Sequence, residues 1–323
     1  MVCTNDSLKS LNNWTKSVIL DRVLRRGDRV LDICGGKGGD LKKMAFSGVK
    51  SVVLIDNADQ SVKDANMRYD EMVHKSRRMK MPSATFIVAD CHRPFDESIT
   101  KKLLVDNYAP FDVVSCQFAL AYSFVSEERA RGLLQNVSQQ LKVGGHFVGT
   151  IPDARVFVQK LRQSPDASFG NEIYKVKFHY TIPRTAPTTS TITIPSCDSK
   201  CASEPTDAGT VGIVKKYFDP SQPFGIDYDF SLLDAIDTCP EYLVHFRSFV
   251  SLAKEYGLQL VESVNFQQYF DEHHKNVKYS KLLDIMQVLE STDRTSATSP
   301  TALSQAEWDV AGMYLTFTFV KIN

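Results

Sequence analysis

No stretch of the chain stays apolar for the roughly 18 residues that a membrane-spanning helix needs, and the first residues lack the basic-then-apolar layout of a signal peptide. The expectation is a soluble, intracellular protein with no membrane partner. An excess of one charge is also missing. Lys plus Arg number 38 and Asp plus Glu number 38, so the formal net charge is zero. No overall field draws in long nucleic acid, and any such binding has to be local. The seven cysteines are an odd number, and a reducing compartment fits them better than a disulfide framework. Cys34, Cys91 and Cys116 each fall at or just after the end of a predicted strand, as buried thiols do. Cys197 and Cys201 form an isolated pair with no second pair at zinc-finger spacing, so no metal site is expected. No internal repeat and no basic targeting run is visible.

What is present is enough apolar material for a core. With 323 residues and 43% hydrophobic content, the chain can bury one α/β core and keep a remainder for a substrate-binding addition. Leu11, Trp14, Val18 and Val23 recur at helical spacing, and Gly27 follows as a stop. Four short runs rich in Val and Ile then rise to a polar residue at their ends: Arg29 to Cys34, Ser51 to Ile55, Ala84 to Ala89 and Phe111 to Cys116. They read as buried parallel strands. Helical patterns separate them, clearest from Gln60 to Arg78, where Val62, Ala65, Tyr69, Met72 and Val73 share one face. Strand and helix alternate, which predicts a doubly wound α/β sheet. A helix from Ser126 to Leu141, closed by Gly144-Gly145, is followed by a strand from His146 to Ile151. Thr181 to Pro223 is dense in Thr, Ser and Pro, with little periodicity beyond Thr191 to Ile194, and reads as a mobile surface insertion. Beyond it come a helix from Leu243 to Tyr256, a strand from Leu258 to Asn265 and an alternating strand from Tyr314 to Ile322.

The segment from Val30 to Asp40 is a strand running into a glycine-rich turn before a helix, whose bare backbone lets a ligand lie close. Asp32, at the strand end ahead of the glycines, suits a cationic sulfonium cofactor better than a pyrophosphate. Asp56 ends the next strand, where an acid accepts the hydroxyls of a ribose. Asp90 ends the third and can accept from the exocyclic amine of adenine; Gln117 ends the fourth. Each alone reads equally well as a helix cap or turn residue. Four polar residues closing successive strands on one sheet edge point to a nucleoside site there.

With these motifs in place, the chain resembles the cellular messenger RNA cap guanine-N7 methyltransferases. The resemblance is carried by Asn12-Asn13-Trp14 with Lys16-Ser17, Val30 to Leu41, Asp56 through Arg68-Tyr69, Cys116-Gln117-Phe118 with Tyr122-Ser123-Phe124, and Phe169 to Tyr174. It continues through Tyr228-Asp229-Phe230, Pro240 to Val244, Glu307-Trp308 and Tyr314-Leu315. It implies a Rossmann-like class I methyltransferase sheet with a cap-binding elaboration and a flexible insertion, all in one domain. Residues 1–180 would form the S-adenosylmethionine-binding core, 181–223 the insertion, and 224–323 the rest of the core with cap-binding elements.

By the same resemblance, Lys16, Asp32, Cys34, Asp56, Asp90, Gln117 and Tyr122 are expected to contact S-adenosylmethionine, which leaves as S-adenosylhomocysteine. Asn12, Asn13, Lys37, Lys43, Arg68, Ala121, Tyr122, Glu241 and Tyr314 are expected at the cap. The implied partner is the capped 5′ end of mRNA (GpppN), with other capping enzymes or RNA polymerase II beside it. The implied state is a nuclear monomer.

Guanine N7 carries a lone pair and no proton, so in-line attack on the sulfonium methyl needs no general base, and no catalytic acid or base is expected. Proximity and orientation supply the rate, and a pocket that favours cationic guanine adds to it. Glu241 can accept from the N1 and N2 edge of guanine. Tyr122 and Tyr314 can stack on the purine, with Phe118 and Phe124 assigned to the core. Lys37, Lys43 and Arg68 would face the triphosphate bridge. Two departures stand out. Cys34 occupies a position where the family has glycine, which predicts weaker cofactor binding. Ala121 replaces the family's histidine, which removes one guanine contact. The competing readings are a methyltransferase for another small molecule or RNA position, and a non-catalytic cap-binding protein.

Overall fold

The structure is a computed structural model that describes residues 6–76, 80–103, 110–179, 222–288 and 303–323. Its first half alternates strand and helix: α1 (Asp6–Val23), β1 (Arg29–Ile33), α2 (Leu41–Phe46), β2 (Ser51–Asp56), α3 (Asp59–Lys75), β3 (Ser83–Val88), α4 (Glu97–Leu103) and β4 (Phe111–Gln117). A 3-10 turn (Leu120–Val125), α5 (Glu127–Gln140), β5 (Leu141–Pro152) and α6 (Ala154–Gln163) follow. The sheet is closed by β10 (Leu258–Asn265) and the last strand, β11 (Tyr314–Lys321), in the order β10-β11-β5-β4-β1-β2-β3. β1 to β5 pair in parallel, and β11 runs antiparallel to both β5 and β10.

Alternation along these strands divides the core into two layers, because successive side chains leave a strand on opposite faces. Val30, Val52, Val113 and Val148 pack with Trp14 and Val18 of α1 on one face. Leu31, Ile33, Val53, Ile55, Val114 and Phe147 pack on the other with α5 and with α7 (Phe246–Glu255). Both faces are covered, as an all-parallel run of strands requires.

The substrate-binding addition is a second, antiparallel sheet of β6 (Ser168–Gly170), β7 (Tyr174–Phe178), β8 (Asp227–Leu232) and β9 (Ile236–Tyr242), in that order. Sequence periodicity did not expose it. Its strands are short, and β9 carries Pro240, which an edge strand tolerates because it sacrifices no ladder bond. α8 (Phe266–His273), α9 (Val277–Ile285) and α10 (Gln305–Ala311) pack with α1 on one side of the main sheet.

Two boundaries differ from the sequence reading. The glycines Gly144-Gly145 do not close α5. Leu141 already pairs with Phe111, and the register slips before Val113 meets His146. Gly144, at φ 78°, is therefore part of an irregular start to β5. The helix expected from Leu243 begins at Phe246, because Leu243 and Val244 are buried core residues and His245 caps it, its Nδ1 accepting from the Ser248 N–H. Thr191 to Ile194, Cys197 and Cys201, with nearly all of the Thr181 to Pro223 insertion, lie outside the described residues. None of the described helices is long and apolar enough to cross a membrane.

Candidate functional site

The carboxyl ends of β1, β2, β3 and β4 bring Asp32, Cys34, Asp56, Asp90 and Gln117 to one edge of the sheet. Gly36, at φ 53°, donates its N–H to Asp56 Oδ2 at 2.8 Å, and Asp56 Oδ1 accepts from the Ala58 N–H at 2.9 Å. The acid thus ties the glycine turn to the start of α3. Space beyond Gly36 is open, with no atom within 4 Å of where a Cβ would stand. Gln117 Nε2 donates to Ser115 Oγ at 3.2 Å, while its Oε1 is buried with no partner among the described residues.

Asp32 is deeper than the sequence suggests, only 2% exposed beneath the turn. Burial, reinforced by repulsion from Asp40, pushes its carboxyl up to about 7, against the opposing pull of Lys16 and a Ser115 hydrogen bond. Cys34 adopts φ 57°, which non-glycine residues avoid, and its thiol engages those of Cys116 and Cys91. The side chain expected to crowd the cofactor is thereby folded into a thiol cluster, with His92 Nε2 3.9 Å from the sulfur. Among the described residues no group of His, Cys, Asp or Glu is arranged to hold a metal ion.

Asp90 accepts from the His92 N–H at 3.0 Å and from Arg129 Nη2 of α5 at 3.2 and 3.3 Å. Burial works against its charge, but these donors hold the carboxyl below its usual range. Arg129 carried no sequence signal: it is one basic residue on a helix, and only the fold brings it to β3.

Behind the glycine turn lies an ion-pair cluster centred on Asp40. Lys16 Nζ stands 3.0 Å from Asp40 Oδ1 and Lys43 Nζ 2.7 Å from the same oxygen. Lys43 also donates to Asn13 Oδ1 at 3.0 Å. Burial opposes the Asp40 charge, yet the two lysines prevail and hold its carboxyl below the usual range. Burial likewise lowers Lys43, with Asp40 resisting. Lys43 is therefore an internal strut and not an outward cation. Asn12 and Asn13 lie well inside α1, so neither caps it; Asn12 Oδ1 is buried without a partner among the described residues. Lys37 and Arg68 do face outward, Lys37 pairing with Asp64 at 3.0 Å.

A second set of residues meets beside this edge. Glu241 of β9 lies directly across from Tyr228 of β8 and accepts its hydroxyl at 2.8 Å. Tyr122, on the 3-10 turn that follows β4, contacts Cys239 Sγ at 3.6 Å, and burial pushes its hydroxyl up. Tyr314, at the start of β11, is raised by burial and by the Glu241 charge. Burial raises Glu241 too, opposed by the Tyr228 bond.

The two sets adjoin. Lys16 Nζ is 6.0 Å from the Phe118 ring, and Phe118 stands edge-on to Tyr314 at 5.2 Å. Ala121, also predicted at the cap, does not join them. It is buried at 2% exposure in the core, where a methyl packs and offers no polar contact. Phe124 is a core residue as expected, stacked on Phe224 at 5.5 Å. A surface hollow of about 700 Å³ lies at the Leu232–Ile236 end of the β8–β9 hairpin, away from the Tyr228–Glu241 pair, and holds none of the predicted residues.

A mostly parallel sheet with one antiparallel strand, β11, set between β10 and β5, and with polar strand ends around a glycine turn, defines a Rossmann-like class I methyltransferase. The CcbJ methyltransferase of Streptomyces caelestis shares this fold, with a TM-score of 0.50 at 10% identity over 97% of this chain and 90% of that one. The mRNA (guanine-N(7))-methyltransferase domain matches residues 6–192 and 210–322. The mRNA cap guanine-N(7) methyltransferase 1 of Oryza sativa is 38% identical over 315 residues, covering 97% of this chain and 74% of the relative. The protein of the same name from Arabidopsis thaliana is 37% identical over 318 residues, covering 97% and 74%. The Schizosaccharomyces pombe mRNA cap guanine-N(7) methyltransferase is 35% identical over 320, covering 97% and 75%. The chain belongs to the mRNA (guanine-N7)-methyltransferase family.

It is a methyltransferase, and its methyl donor is S-adenosylmethionine. The residues present fit that donor: an open backbone at Gly36, carboxylates at the β2 and β3 ends, and an unpartnered buried acceptor on Gln117.

Proposed function

We propose that the chain methylates N7 of the guanosine that caps mRNA, turning GpppN-RNA into m7GpppN-RNA by holding two ligands in line and using no general base. The observation that carries this reading is the adjacency of the glycine-turn edge to a cluster of tyrosines around one carboxylate, bridged by Phe118. S-adenosylmethionine, when bound, supplies an electrophilic methyl on a sulfonium.

In this reading Lys16 and the backbone at Cys34 and Gly36 hold the amino-acid end of the donor, above a turn supported by Asp32. Asp56 takes the ribose, Asp90 and Gln117 the adenine, and Tyr122 the boundary between the ligands. Glu241 accepts from guanine N1 and N2, which selects guanine over adenine and favours the cationic purine. Tyr122 and Tyr314 flank the base. Lys37 and Arg68 face the triphosphate, while Lys43 and Asn13 act from behind through the Asp40 cluster, with Asn12 beside them on α1. N7 has no proton to lose, so no residue has to remove one. Nuclear residence and work beside other capping enzymes or RNA polymerase II follow from where transcripts are capped.

The test is incubation of a guanosine-capped dinucleotide and uncapped RNA with methyl donor, followed by mass analysis. One methyl on the cap guanine and none on uncapped RNA is expected. Glu241→Ala should lower kcat/KM roughly ten- to a hundred-fold, the loss of hydrogen bonds to a charged group. Equal transfer to uncapped RNA, or full activity of Glu241→Ala, refutes the reading.

A further inference from the structure

We propose that Tyr228 is the positioning residue of the guanine site: its hydroxyl locks Glu241 in the rotamer that presents the carboxylate to the purine edge. The proposal rests on the reading of Glu241 as the group that recognises guanine N1 and N2.

Tyr228 is fully buried, so its hydroxyl needs a partner, and Glu241 Oε2 is that partner at 2.8 Å. The ring has no freedom to drift. It packs against Phe157 at 5.0 Å and Phe178 at 5.3 Å, from α6 and β7. β8 and β9 place the two residues directly opposite each other, so the pair is built into the register of the small sheet.

Glutamate is a flexible side chain, and ordering it costs rotamer entropy that a fixed donor offsets. One rigid phenol on Oε2 leaves Oε1 with no hydrogen bond among the described residues, together with a spare lone pair on Oε2. Two remaining acceptor positions on one carboxylate match in number the two donors, N1–H and N2–H, on the guanine edge.

The same bond affects charge. Burial favours the protonated carboxyl of Glu241, and the Tyr228 hydrogen bond opposes that. A protonated Glu241 would offer a donor where guanine needs an acceptor. The titratable groups facing Glu241 are Tyr228 of β8, Tyr122 of the 3-10 turn and Tyr314 of β11, with Cys239 beside Tyr122. Burial pushes all three tyrosine hydroxyls up, so they remain protonated through neutral pH.

Tyr228→Phe tests this, because it keeps the ring and removes only the donor. KM for a guanosine-capped dinucleotide should rise roughly ten-fold or more, with a smaller change in kcat and unchanged methyl-donor affinity by calorimetry. The acidic limb of the kcat/KM profile should move to higher pH. The preference for a guanosine cap over an inosine cap, which lacks the N2 amine, should shrink. In a Glu241→Gln background, Tyr228→Phe should add little further loss, since the two act as one unit.

An unchanged KM, acidic limb and cap preference in Tyr228→Phe, alongside a clear loss in Glu241→Gln, would reduce Tyr228 to packing and overturn the proposal. Full guanosine preference in Glu241→Gln would overturn the assignment of Glu241 itself, and the proposal with it.

Discussion

Asp40→Asn removes the charge at the centre of the cluster behind the glycine turn while nearly preserving shape. Asp40 is 8% exposed in its side chain, Lys16 14% and Lys43 11%, with ammonium nitrogens 3.0 and 2.7 Å from one carboxylate oxygen. Breaking a buried pair on one side costs about 3–5 kcal/mol, because a charge is left uncompensated. The amide oxygen of asparagine still accepts one hydrogen bond, so the lower end applies, about 3 kcal/mol.

For a chain of 323 residues, with an unfolding entropy of about 2.1 cal/mol/K per residue, such a loss should lower Tm by roughly 4–5 °C and shift the urea midpoint at constant m. The pH dependence should change as well. Asp32 keeps its proton in the folded state up to about 7, above the ordinary range, through burial and Asp40 repulsion. Between about pH 4 and that value the unfolded chain releases this proton and the folded chain does not, so this group makes stability fall as pH rises. Without Asp40 repulsion, that decline should end at a lower pH. An unfolding free energy from urea titration within about 0.5 kcal/mol of wild type, with the decline unmoved, would refute the account of the cluster.

Gly35→Ala would place a Cβ 2.7 Å from both Asp32 Oδ2 and Leu54 Cγ; overpacking of this kind costs about 1–3 kcal/mol, read as a lower Tm and weaker methyl-donor binding by calorimetry. Gly132→Ala would drive a Cβ into the His92 carbonyl oxygen, pushing α5 from the β3 turn and parting Arg129 from Asp90. Donor affinity should fall several-fold while the cap preference stays the same, and unchanged donor affinity would separate the Arg129–Asp90 pair from donor binding.

The chain order shows what could be read without coordinates and why. Buried parallel strands are near-continuous apolar runs, so β1 to β4 were visible as Val and Ile blocks, and the polar residues at their ends marked the ligand edge before any contact was known. Glu241 was assigned through the resemblance, and its neighbours Pro240 and Tyr242 to Val244 marked it as partly buried. Residues whose work is relational were not legible. Asp40 is simply the acid after two glycines until Lys16, from a helix 24 positions earlier, lies against it. Arg129 looks like any helix-surface cation, and Lys43 read as an outward donor, whereas α1 and α2 turn its ammonium inward to Asn13.

Local composition and spacing therefore determined the α/β class and the polar strand ends along one sheet edge, because side-chain period and turn chemistry are properties of neighbours in sequence, while the family came from the resemblance of its motifs. Tertiary structure alone decided the depth of Asp32, the burial of Ala121 and the pairing of Tyr228 with Glu241. Burial and hydrogen-bond partners depend on which distant segments share a volume, and that is settled only when β8 and β9 zip together and dock beside β4 and β11.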